Sequence, residues 1–251
     1  MVLSRQKENN SHALELRWGE PHDPLPVRLL RGGPPPLPAA NQLASPPWIA
    51  TGPVEEPFNF CAHIRRLLED IVARTPEFAH IHVPRILVGA LQARNGRAHG
   101  LQARVTPLRF PQGQLRRRRR DTTFQVQRYF LGDHEFLYLM TYCLPRFQDQ
   151  EFDDKFITLF HELYHIGPEF NGDLRRHQGR YQLHTHSQRH YDKHMAGLAR
   201  DYLAAGPDEA VYGFLRLNFA QLQQRHGSVV GIVVPRPKVI PLKPHANGDS
   251  P

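Results

Sequence analysis

Apolar side chains at Phe60, Ile64, Leu67, Leu68, Ile71 and Val72 recur every three or four positions until Thr75-Pro76 interrupts them. That is the spacing of one helix face followed by a helix stop, and it predicts a first helix over residues 58–74. The period then changes. "HVPRILVGALQAR" and "GLQARVTPLRF" flank Asn95-Gly96, the dipeptide that most readily supplies the positive φ angles of a tight turn, so a hairpin is predicted there. "TTFQVQRYF", Thr122 to Phe130, alternates apolar with polar residues, and "EFLYLMTYC" follows from Glu135 after Gly132-Asp133, which predicts a second antiparallel pair. Helical spacing returns at Phe152, Phe156, Leu159, Phe160, Leu163 and Ile166, an apolar stripe able to seat a helix against a sheet. Acidic Glu151, Asp153 and Asp154 favour the positive end of that helix, and Gly167-Pro168 stops it. "SQRHYDKHMAGLARDYLAAG" from Ser187 and "PDEAVYGFLRLNFAQLQQRHG" from Pro207 predict two further helices, each closing on glycine. One helix, about four strands in an antiparallel or mixed sheet, then three helices define a single α+β domain.

The ends read differently. Residues 1–57 carry 11 of the 23 prolines and few periodic apolar positions, which predicts an extended or disordered leader before a domain over 58–234. "VPRPKVIPLKPHANGDSP" from Val234 repeats the pattern, so 235–251 reads as a Pro-rich tail whose Val239, Ile240 and Leu242 can still pack on the domain.

With 251 residues, 40% of them hydrophobic, the chain can bury one substantial core. Its two cysteines, Cys61 and Cys143, are too few for a disulfide framework or a cysteine zinc ribbon. No segment has the apolar run of a secretory signal or a membrane span, so a cytoplasmic protein with no membrane partner is expected. A net charge of +8 favours an anionic partner. Much of it is local: residues 94–128 hold ten arginines against one acidic residue, Asp121. Arg116, Arg117, Arg118, Arg119 and Arg120 are consecutive, a candidate phosphate-binding run that would bring nucleic acid to this segment, or else a basic solvated loop between hairpins. No aromatic residue interleaves the run, so the sequence offers no platform for base stacking.

Within the third helical pattern lies "FHELYH", the frame HExxH, in a chain with 16 histidines. A histidine-rich chain can produce the frame by chance, so its surroundings carry the argument. His161 and His165 lie one turn apart and off the apolar stripe, where two imidazole nitrogens can converge on one ion. Glu162, rotated from them, can reach a water on that ion, and zinc is the default metal for two histidines with an open position.

A catalytic zinc takes three protein ligands as a rule. The continuation HExxHxxGxxH fails, because its glycine and histidine positions hold Pro168 and Asn171. A glutamate from the next helix fails too, since none occurs between Glu169 and Glu209. Histidines remain: His177, His184, His186, His190 and His194. His184 and His186 precede Ser187, a good N-cap, and point the same way if extended. His184 is marginally preferred to His186 as third ligand, and His190 and His194 otherwise read as a solvated helix face.

"FHELYHIGPEFNGDLRRHQGRYQLHTHSQRHYDKHMAGL", Phe160 to Leu198, resembles the core motif of the phage-type metallopeptidases, a bacterial and viral family of zincin-like proteins. It is more distantly similar to the SprT-like proteases, in which a histidine ahead of the next helix completes the zinc site. The resemblance implies one zinc ion on His161, His165 and either His184 or His186. It further implies hydrolysis of a polypeptide substrate by zinc-activated water, with Glu162 as general base. Tyr181, Tyr191, Arg175 and Arg176 are candidate donors to the oxyanion or the substrate. In zincin-type folds a strand ahead of the active helix binds substrate as an added strand, which here implicates "TTFQVQRYF" or "EFLYLMTYC". The contrasting reading is a nucleic-acid-binding or phage-associated accessory protein with a structural or inactive zinc site.

Overall fold

The computed structural model of the protein describes residues 13–18, 27–31, 57–94, 100–131, 134–175 and 188–242. In chain order its strands begin with β1 (Ala13–Trp18), β2 (Val27–Arg31) and β3 (Phe58–Asn59), which leads directly into helix α1 (Phe60–Arg74). The predicted first helix is therefore present. Asn59 caps it, its Oδ1 accepting from the Ala62 N–H at 3.1 Å, and Phe60, Ile64, Leu67, Leu68 and Ile71 are all buried.

Next come β4 (Ile86–Gln92), β5 (Ala103–Pro107), β6 (Arg116–Arg119), β7 (Thr122–Val126), β8 (Tyr129–Leu131), β9 (His134–Phe136) and β10 (Tyr138–Leu144). The pairing departs from the predicted hairpins. β10 lies between β4 and β5, parallel to the first and antiparallel to the second, so β4 and β5 share a sheet without pairing with each other. Every residue of β10 is buried, as a central strand packed on both faces requires. The Asn95-Gly96 dipeptide lies outside the described residues. Gly132-Asp133 does sit between antiparallel strands, but these are the short β8 and β9 rather than the two longer segments. β7 pairs with β6 on one side and β12 (Val239–Leu242) on the other. Four of the five consecutive arginines, Arg116–Arg119, thus form a strand, and Arg120 lies in the turn that follows.

Helix α2 (Phe152–Tyr164) follows, then α3 (Gln188–Ala204), α4 (Glu209–Tyr212), α5 (Phe219–His226) and β11 (Val229–Val233). Among the described residues these make five α-helices and four small sheets, an α+β arrangement broader than the one sheet of about four strands expected. Phe156, Leu159, Phe160 and Leu163 of α2 are fully buried, each contributing about 1.5–3 kcal/mol of apolar burial. That face packs against β5 and α3 and fixes which way the rest of the helix turns.

The helix predicted from Pro207 onward is broken, and the reason is electrostatic. The Leu215 and Leu217 carbonyls accept from the buried Lys155 Nζ at 2.8 and 2.9 Å, and those of Phe214 and Leu217 accept from Gln148 Nε2. Side chains from α2 and its approach thus hold the carbonyls of Phe214, Leu215 and Leu217, where the chain leaves a short 3-10 turn for extended backbone at Leu217. Asn218 then starts α5 with a capping box to Gln221. β11 was not anticipated; it pairs with β1 and β3, drawing β1 and β2, inside the predicted leader, into a sheet of order β2-β1-β11-β3. The tail segment Val239–Leu242 likewise becomes β12. No helix among the described residues is long and apolar enough to cross a membrane.

Candidate active site

α2 delivers the HExxH residues to a cleft. Because its apolar stripe is locked into the core, His161 and His165 emerge half-buried on the adjoining face, with ring centroids 4.5 Å apart. Their Nε2 atoms face one another at 2.8 Å, one donating to the other. The cleft, ≈ 640 Å³ in volume, is walled on one side by residues 150–165 of α2 and its approach, and on the other by Gly100 to Val105.

Glu162 points towards that second wall. The residue is only 7% exposed, and its Oε2 accepts a 2.6 Å hydrogen bond from the Val105 N–H of β5. Burial pushes its pKa up to about 7, against the opposing pull of the Val105 N–H and of the Arg104 guanidinium. A carboxyl so placed can exchange a proton near neutrality.

Among the described residues β5 pairs with β10 alone, and its outer edge faces the cleft. The Cys143 N–H donates to Gln102 O and the Leu108 N–H to Leu137 O, so even-numbered residues face β10. Main-chain groups alternate along a strand, and Ala103 and Val105 therefore turn theirs towards the cleft. The strands expected to serve as this edge do not: β7 is flanked by β6 and β12, and β10 by β4 and β5.

Beyond α2 the segment "HIGPEFNGDL" closes on itself. His165 is the C-cap, Ile166 bridges to Leu174, and the Gly167 N–H donates to Asp173 O at 3.2 Å. The Tyr138 hydroxyl of β10 fastens this loop, donating to Asp173 O and accepting from the Gly172 N–H. Gly172 has φ +88° with Arg109 Cγ only 2.4 Å from where a Cβ would stand, so glycine is required there.

The predicted site residues divide. His161, Glu162 and His165 come together. Arg175 lies just past the loop, its guanidinium over the Tyr164 ring at 4.0 Å and its Nε donating to Tyr164 O, so it is committed to the end of α2 and is absent from the cleft lining. Tyr191 of α3 packs its ring edge-on to His161 at 4.8 Å and alongside Tyr164, beside the histidines rather than across from them. Burial holds its hydroxyl well above the usual tyrosine range. His194 is exposed against Tyr164. Arg176, His177, Tyr181, His184 and His186 lie outside the described residues, as does the side chain of His190. Among the described residues, no third His, Cys, Asp or Glu joins the two histidines in a group that could hold a metal.

Two contributors were missed from sequence. Arg104 lines the cleft with its Nε buried and, among the described residues, without a hydrogen-bond partner, and Asp192 of α3 lines it too. Arg104 was counted only as part of a basic segment. Its placement follows from β5 pairing with β10, which no local pattern discloses.

The cleft thus brings together a helix carrying two convergent histidines and a desolvated glutamate and the outer edge of β5. Residues 59–200 match the family described as "Putative phage metallopeptidase", and the chain belongs to that family. No curated protein and no solved structure gives a significant match.

Proposed function

We propose that the protein is a zinc-dependent peptidase of zincin-like type whose active site is the HExxH cleft. The observation that carries the reading is the joint placement of His161 and His165, Nε2 to Nε2 at 2.8 Å, beside a buried Glu162 in one open cleft. The donor set fits the ion, since two nitrogens each 2.0–2.1 Å from a tetrahedral zinc lie about 3.3 Å apart, a small rotation from the spacing seen. His161 and His165 would hold it with one further histidine, His184 in preference to His186. When bound, zinc supplies Lewis acidity and lowers the pKa of water at the site.

The chain's own residues do the rest. Glu162, desolvated and balanced near neutrality, takes a proton from the attacking water and passes it to the departing amine. The outer edge of β5 offers the main-chain groups of Ala103 and the Val105 carbonyl to an extended polypeptide, the Val105 N–H being held by Glu162, and pairing there aligns the scissile bond with the histidines. Arg104, with a donor unpaired among the described residues, is placed to bind a substrate carbonyl or carboxylate. A purely structural zinc site would have no use for a buried carboxylate next to its ligands.

The test is zinc content of the purified protein and of its His161→Ala, His184→Ala and His186→Ala variants. The wild type is expected to retain one zinc, His161→Ala to lose it, and only one of the other two to do so. A wild type that holds no zinc after reconstitution would remove the basis of the proposal.

A further inference from the structure

The arginine run reaches a second site, on the sheet β12-β7-β6. Strand register sets Arg117 opposite Phe124 and Arg119 opposite Thr122, while β12 places Val239 beside Val126. Side chains alternate across a strand, so Arg117, Arg119, Phe124 and Val239 share one face. Together with Phe110 they line a groove of ≈ 440 Å³. Arg116 and Arg118 belong to the opposite face and are engaged there, Arg116 Nε donating to Gln125 Oε1 and Arg118 Nε to Arg120 O.

Two features set this groove apart from a solvated basic surface. Among the described residues no ion pair joins Arg117 or Arg119 to a carboxylate: Glu135 is bound to Arg109 and Arg128, and Asp121 is the one acidic residue between 94 and 128. Its walls are aromatic, although the sequence showed no aromatic within the run, because Phe110 and Phe124 arrive from the preceding turn and the neighbouring strand. Both residues are half-buried and line the groove.

We propose that this groove binds single-stranded nucleic acid, with Arg117 and Arg119 on consecutive phosphates and an unpaired base against Phe124 or Phe110. Phosphates match the two cations, and every nucleobase presents a π-face that a phenyl ring can stack. An acidic polypeptide would satisfy the arginines but gain nothing particular from the rings. A duplex keeps its bases stacked inside and could use only the charges. The volume lies within the range of about 300–1,000 Å³ typical of small-ligand sites, enough for a nucleotide. The site is independent of the peptidase reading, for none of its residues lines the HExxH cleft.

The test is fluorescence anisotropy of a labelled oligothymidylate titrated with the full chain over a series of salt concentrations. Arg117→Ala/Arg119→Ala is expected to weaken binding at least tenfold and to lower the salt slope by about 1.4, the share of two single-strand phosphates. Phe124→Leu should weaken it roughly 5-fold to 100-fold, the contribution of one stacked base. Arg116→Ala/Arg118→Ala should stay within twofold of wild type, and since all four arginines are exposed the comparison does not depend on folding. No binding by the wild type, or equal losses in the two arginine pairs, would overturn the proposal. So would displacement of the oligomer by polyglutamate at matched charge, which would assign the groove to acidic polypeptide.

Discussion

Glu162 carries two duties that a substitution can separate. Its Oε2 accepts from the Val105 N–H, which ties α2 to β5, and its ionisable proton serves the proposed chemistry. Glu162→Gln keeps an oxygen acceptor for Val105 but cannot take a proton. Peptidase activity should fall by about 10²- to 10⁴-fold, with thermal stability unchanged. Arg104→Gln should raise KM for peptide substrates more than it lowers kcat, measured by steady-state kinetics, because Arg104 lines the cleft and is proposed to bind substrate rather than to move a proton. The frame His161, Glu162 and His165 was legible in sequence, since a helix places residues four apart together without help from the rest of the chain. Arg104 and Val105 were not, because they come from a strand 57 positions away from the glutamate.

Among the elements, α2 is positioned from both ends: by its apolar face in the core and by Lys155 at its start. Lys155 Nζ satisfies the carbonyls of Leu215 and Leu217, and burial lowers its pKa to about 8. Lys155→Met keeps the aliphatic bulk but leaves the buried Leu215 carbonyl without its side-chain donor and Leu217 O with Gln148 alone. It should cost about 1–3 kcal/mol in urea denaturation, and no loss would show that other donors hold this turn. Helices could be read from period alone, apart from the one that Gln148 and Lys155 interrupt. Strand positions could be read too, but not their partners. β10 inserts between β4 and β5, and β7 joins β12 instead of continuing towards β10, because partner choice depends on long-range packing that local alternation does not encode. β11 was hidden for a related reason: an unbroken apolar run such as "VVGIVV" lacks the alternation that marks a half-exposed strand.

At the scale of the molecule, β3, α1, the turn at Phe214 and the end of α5 meet around two histidines. His63 Nδ1–H donates to Asn59 O, its ring stacks on Phe58 at 4.1 Å, and His226 packs against the same phenyl at 4.9 Å. Burial lowers both pKa values to about 4. Between pH 4 and 6.5 the unfolded chain therefore binds protons that the folded chain refuses, so stability is full above about 6.5 and declines as pH falls through that window. The urea midpoint should be lower at pH 5 than at pH 7.5, and a His63→Phe/His226→Phe variant should lose most of that difference. A flat wild-type profile would contradict the assignment of these groups as neutral. The central claim concerns the cleft, where the fold sets two histidines, a glutamate and the outer edge of β5 around one volume. Its most direct test is casein hydrolysis by zinc-reconstituted wild type beside Glu162→Gln at matched zinc content. The account predicts cleavage by the wild type and at least a hundredfold slower cleavage by the variant. Equal rates in the two proteins would contradict it.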